Sequence, residues 1–177
     1  SAEVLERQLF PSLAPAVFCM AYRSLNDCIS LGITNLFFLA REGITLKQVF
    51  EVLIANHPEF SSHNFRLSVL YVSKASTVCG RFQGTDDVGC IAATALGCWK
   101  KLNYANLLAS WNIREEQLNY RFSEPPEVET LEDLRQFFQT NAEFSAAFGE
   151  YVAKQKGYLR DYLKQQGVLD APCAFID

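Results

Sequence analysis

From about Ala16 to Leu31, the apolar residues Val17, Phe18, Ala21, Leu25, Cys28 and Ile29 recur at the spacing of a helix with one buried face. Pro11 and Pro15 confine what precedes it to a short lead-in, and Gly32 is a natural stop. Asn35-Leu36-Phe37-Phe38-Leu39 is a short continuous apolar run with aromatic content, the pattern of a strand covered on both faces. A helix is predicted from about Ile44 to Asn56, with Leu46, Val49, Phe50 and Leu53 in phase. After a loop from Pro58 to Asn64, the run from Phe65 to Val72 reads as a second strand. Strand, helix and strand at this spacing make a βαβ unit, with parallel strands and a right-handed crossover.

The pattern then changes. Thr85-Asp86-Asp87 can cap a helix running through Cys90 to Leu96, and Asn103 to Ser110 suggests another. Thr130-Leu131-Glu132-Asp133 resembles a capping box with Asp in place of Glu or Gln. Ser123-Glu124-Pro125-Pro126-Glu127 is an extended, acidic, linker-like break. A long helix from about Ala142 to Gln166 sets Phe144, Ala147, Phe148, Tyr151, Val152, Tyr158, Leu159, Tyr162 and Leu163 on one stripe, and Gly167 ends it. The run from Pro172 supplies a third strand. The expectation is therefore an α/β fold: a short parallel sheet of βαβ type with helices on both faces and a large helical insertion or cap over residues 84–166. All 177 residues form a single domain, read as a fragment of a longer protein because the chain opens at Ser1 and stops inside an apolar run at Asp177.

Composition narrows the function classes. With 49% hydrophobic and 20% charged residues the chain sits among ordinary globular proteins, which excludes disorder and a disulfide-stapled mini-fold. A net charge of -4 supplies no basic field for nucleic acid or an anionic membrane, so any anion site must be local. No apolar run reaches the roughly 18 residues of a membrane span, and Glu3 and Glu6 do not suit a signal peptide. A cytoplasmic setting is the expectation. Cys19, Cys28, Cys79, Cys90, Cys98 and Cys173 show no metal-ligand spacing and read as buried free thiols. His57 and His63 flank the Pro58 loop and read as solvated.

In open parallel sheets, ligands bind beyond the carboxyl ends of the strands. That rule selects Arg41-Glu42-Gly43, Ser73-Lys74 and Asp177. Arg41 offers a two-pronged grip on a phosphate or carboxylate. Gly43 lets backbone pass close to a ligand at a helix N-terminus. Ser73 and Lys74 add a hydroxyl and a point charge. Glu42 and Asp177 are carboxylates suited to a sugar hydroxyl, to proton transfer or to a divalent metal such as Mg2+.

Leu36-Phe37-Phe38-Leu39-Ala40-Arg41-Glu42-Gly43, Val69-Leu70-Tyr71-Val72-Ser73-Lys74-Ala75 and Ala174-Phe175-Ile176-Asp177 resemble, in order, three motifs of a family of large bacterial proteins. These are predicted hydrolases of the haloacid-dehalogenase superfamily, found with capsule, rhamnan and other surface-polysaccharide genes. The family pattern is Phe-Leu-Ala-Arg-Asp-Gly, Tyr-Val-Ser-Arg and Val-Asp-Ile-Gly-Trp. This chain departs from it with Glu42 in place of Asp and Lys74 in place of Arg. The resemblance implies a region following the hydrolase domain, whose nucleophilic Asp lies upstream of this chain.

The order of elements also resembles a phosphoribosyltransferase. The leading expectation is a domain that binds a phosphorylated sugar or nucleotide-sugar at the strand ends, with neighbouring domains of the same polypeptide as partners. A rival expectation is a non-catalytic module whose Tyr- and Phe-rich helices dock on an adjacent hydrolase or glycosyltransferase domain.

Overall fold

The computed structural model describes residues 2–84, 87–99, 102–118, 120–122 and 126–177, with side chains over 13–73, 76–84, 87–97, 102–118, 120–122 and 126–177. Thr85, Asp86, Ser123, Glu124 and Pro125, which the sequence assigns to a cap and a linker, lie outside the described residues, as does the side chain of Cys98. The chain divides into two compact units: one comprises Ser1–Val72 with Lys164–Asp177, the other Ser73–Leu163. The helical segment thus begins at residue 73, directly after the second strand, where the sequence pattern had suggested 84.

The first unit is an α/β layer. Its elements are α1 (Ala2–Ser30), β1 (Asn35–Leu39), α2 (Glu42–Asn56), α3 (Pro58–Ser61), β2 (Arg66–Leu70) and β3 (Cys173–Ile176). Contrary to the sequence expectation, α1 runs through Pro11 and Pro15. A proline's fixed φ is compatible with a helix, so α1 continues through both, at the cost of a missing backbone hydrogen bond and crowding of the preceding turn at each. α1 ends as Gly32 predicts. With φ 67°, Gly32 lets its own N–H reach Ile29 O at 3.0 Å and Ile33 N–H reach Cys28 O at 2.8 Å, which satisfies two end carbonyls.

The strands are parallel in the order β2-β1-β3, with Leu39 opposite Leu70 and Phe38 opposite Ile176. β2 stops at Leu70, short of the predicted Val72, because β1 ends opposite it and later residues have no strand to pair with. One sheet face, carrying Leu36, Phe38 and Ile176, packs with Ala21, Leu25 and Cys28 of α1, Phe50 and Leu53 of α2, and Phe60. The Phe38 and Phe50 rings meet edge to face at 5.0 Å. Both are fully buried, and each contributes on the order of 2 kcal/mol by leaving water.

The second unit is helical: α4 (Lys74–Arg81), α5 (Val88–Trp99), α6 (Tyr104–Ser110), α7 (Leu131–Thr140) and most of α8 (Ala142–Gln165), with a 3-10 turn at Glu115–Leu118. Asp87 accepts from Cys90 N–H at 3.2 Å, Asn103 caps α6, and Thr130 and Asp133 form the expected capping box on α7. Its core is aromatic. Phe82, Tyr104, Trp111, Phe137, Phe138, Phe144 and Phe148 are all buried, and Trp111 lies 5.5 Å from Phe82 and 5.3 Å from Phe148 between ring centroids. On α8, Phe144, Phe148 and Val152 are buried as the stripe predicts, whereas Tyr158 is 56% exposed beside Lys154. No helix among the described residues is long and apolar enough to cross a membrane.

Candidate functional site

Only Ala40 and Arg41 separate the end of β1 from the first residue of α2, so the chain must reverse within two residues. Ala40 is held to the sheet by its N–H, which donates to Leu70 O at 2.8 Å. The reversal therefore falls on Arg41, which adopts φ 84° and ψ -104°. That conformation crowds an L side chain against its own backbone and costs about 1–3 kcal/mol outside glycine. Gly43 completes the turn. A Cβ on it would lie 2.9 Å from the carbonyl carbon of Phe38, so glycine is what lets the first turn of α2 lie against β1. Gly43 is buried, and its part is to permit this approach.

The result is an arginine thrown outward at the carboxyl end of the central strand. Its side chain is 85% exposed and makes no capping hydrogen bond to α2; its nearest charged partner is Glu42 Oε1, 3.6 Å from Nη2. An exposed pair of this kind contributes little to stability and leaves the guanidinium available. The positive end of the α2 dipole lies at the same place.

Asp177 follows Ile176, which is opposite Phe38, so continuing the register sets Asp177 level with Leu39, two residues before Arg41. It is exposed. β1 connects through α2 to β2 on one side, while its other neighbour, β3, comes from the far end of the chain. The strand order therefore reverses about β1, so the carboxyl ends of β1 and β3 form a topological switch point of the kind at which open α/β sheets take ligands. Arg41 and Glu42 follow the end of β1, and Asp177 follows the end of β3.

Ser73 and Lys74 belong to the helical unit. The Ser73 hydroxyl accepts from Ser76 N–H at 3.2 Å, and Ser76 Oγ accepts from Ser73 N–H at 2.7 Å, a reciprocal cap on α4 that sequence reading missed because its N3 residue is Ser. The side chain of Lys74 lies outside the described residues. Among the described residues no group of three or more His, Cys, Asp or Glu side chains could hold a metal ion.

Two features escaped the sequence. Tyr71, the first residue past β2, is 73% exposed at the same edge of the sheet as Arg41. His57 is half-buried in a cluster of rings, 5.9 Å from both Tyr22 and Phe60, contrary to the expectation of a solvated loop residue. Its Nδ1 lies 3.4 Å from Glu59 Oε1, which also accepts from Tyr22 Oη at 3.1 Å. The Glu59 carboxyl is held below its usual range by its backbone hydrogen bond first, then by Tyr22 and His57. Beside this cluster a groove of about 340 Å3 runs between α1 and α2, lined by Phe18, Val49, Val52 and Leu53.

The cysteines divide by environment. Cys28 and Cys79 are buried, Cys90 and Cys173 half-buried, and Cys19 exposed on α1, contrary to the expectation of uniformly buried thiols. In the helical unit, burial and then Glu115, whose Oε1 lies 3.5 Å from Tyr104 Oη, push the Tyr104 phenol upward. No known protein family's model matches the chain, and no curated protein matches it.

Proposed function

We propose that the α/β unit binds the phosphate of a phosphorylated sugar or nucleotide-sugar at the carboxyl ends of β1 and β3. The observation that carries this reading is Arg41: a charged, exposed side chain on a backbone conformation that glycine would adopt more cheaply, at the switch point of the sheet. Arg41 grips the phosphate in two places, the α2 N-terminus adds its dipole, and Glu42 and Asp177 accept hydrogen bonds from sugar hydroxyls. The three-motif resemblance supplies the setting, a protein of bacterial surface-polysaccharide biosynthesis.

Calorimetric titration of the protein with sugar phosphates, nucleotide-sugars and the matching unphosphorylated sugars tests it. Phosphorylated ligands should bind and neutral sugars should not, and Arg41→Ala should weaken binding about tenfold or more, the worth of a charge-assisted contact. If no phosphorylated ligand binds, or if Arg41→Ala leaves the affinity unchanged, the reading is wrong.

A further inference from the structure

The exits of β1 and β2 are tied together. Leu39 pairs with Leu70, and the bond from Ala40 N–H to Leu70 O carries the pairing one residue past β1, so Tyr71 leaves β2 level with Ala40 and next to Arg41. Tyr71 is 73% exposed and Arg41 85%, so an aromatic ring and a guanidinium both reach solvent from neighbouring positions just past the carboxyl ends of β2 and β1. Neighbouring strands are about 4.8 Å apart. One ribose separates the base of a nucleotide from its phosphate, a span of that order. A base stacked on the Tyr71 ring therefore leaves its phosphates beside Arg41 and, across β1, any attached sugar beside Asp177.

Resting on the proposal that this edge binds a phosphorylated ligand, we infer that Tyr71 is the specificity-determining residue, and that the ligand is a nucleoside diphosphate or its sugar ester rather than a simple sugar phosphate. Stacking on an aromatic face is tolerant of base identity, because every base has a π face. The site should therefore take purine and pyrimidine nucleotides alike and discriminate chiefly against ligands with no base.

The test is calorimetric titration of uridine diphosphate, adenosine diphosphate and inorganic pyrophosphate into wild type, Tyr71→Ala, Tyr71→Phe and Arg41→Ala. Both nucleotides should bind wild type about tenfold more tightly than pyrophosphate. Tyr71→Ala should remove that advantage while leaving pyrophosphate binding unchanged, and Tyr71→Phe should keep it. Melting profiles recorded for every variant separate a loss of binding from a loss of folding. The inference is overturned if Tyr71→Ala leaves nucleotide affinity intact, or lowers nucleotide and pyrophosphate affinity equally. Equal, Arg41-dependent binding of nucleotides and pyrophosphate would sink the stacking role while preserving the anion site, whereas no binding by any probe would sink both.

Discussion

Arg41 and Gly43 meet one geometric demand from opposite sides. The turn from β1 into α2 has two residues in which to reverse, Arg41 absorbs the reversal in its backbone, and Gly43 makes room for the helix that results. Adding a methyl group at residue 43 drives it into the backbone of Phe38, which cannot move without breaking the pairing of β1 with both neighbours. Gly43→Ala should therefore destabilise the protein by about 1–3 kcal/mol, read as a lower urea midpoint with an unchanged slope. An unchanged midpoint would mean the turn is looser than described. The Arg-Glu-Gly motif was legible in the sequence as a strand-end cluster. Its backbone was not, since residue preferences give no reason to expect an arginine where φ is positive. Nor was the exposed Tyr71, because the apolar pattern of Val69 to Val72 reads as a continuing strand, and only the end of β1 shows why pairing stops.

Among the elements, some helix ends are legible in the sequence and others are not. The pattern at Thr130 to Asp133 predicts a cap, and Thr130 Oγ1 accepts from Asp133 N–H at 3.1 Å while Asp133 Oδ2 accepts from Thr130 N–H at 2.8 Å. Thr130→Ala should lower stability by about 1 kcal/mol in urea unfolding. Hydrogen bonding to the carboxylate, from the Thr130 side chain first and then from the Thr130 and Glu129 N–H groups, holds the Asp133 carboxyl below its ordinary value of 3.8. A group whose folded value is depressed adds stability above its ordinary value and loses it as pH falls through the lowered one. Asp133→Asn should accordingly flatten the acid limb of a stability-against-pH curve below about pH 4, and an acid limb identical to wild type would refute the cap's contribution. The Ser73–Ser76 cap has no acidic or amide N3 residue to announce it, so only the structure shows the Ser73 hydroxyl engaged at the start of α4.

At the scale of the whole chain, the alternation of strand and helix patterns gave the parallel α/β sheet, and the loss of that alternation after β2 marked the helical unit. Hydrophobic period alone could not say where the aromatic residues of that unit point. Phe82, Trp111, Phe138, Phe144 and Phe148 fill its own interior, whereas Leu96, Leu131 and Tyr158 stay exposed. Burial also divides the thiols. Cys79, 3% exposed, is pushed up to about 11 by desolvation, so it stays protonated and shielded near neutral pH, whereas Cys19 is open to solvent. Iodoacetamide at pH 8 should modify Cys19 in the native protein and reach Cys79 only after unfolding, as read by peptide mass spectrometry. Modification of both at equal rates would contradict the packing of the helical unit.

If Arg41 keeps its unfavourable conformation for the sake of a ligand, Arg41→Gly tests both parts at once through two readouts, because glycine relieves the strain and removes the guanidinium together. Melting temperature and titration with a nucleoside diphosphate should therefore move in opposite directions. Unfolding free energy should rise by about 1 kcal/mol, the strain relieved less the extra freedom glycine gives the unfolded chain, while binding falls tenfold or more. A variant that melts lower than wild type, or that binds as well, would contradict the account.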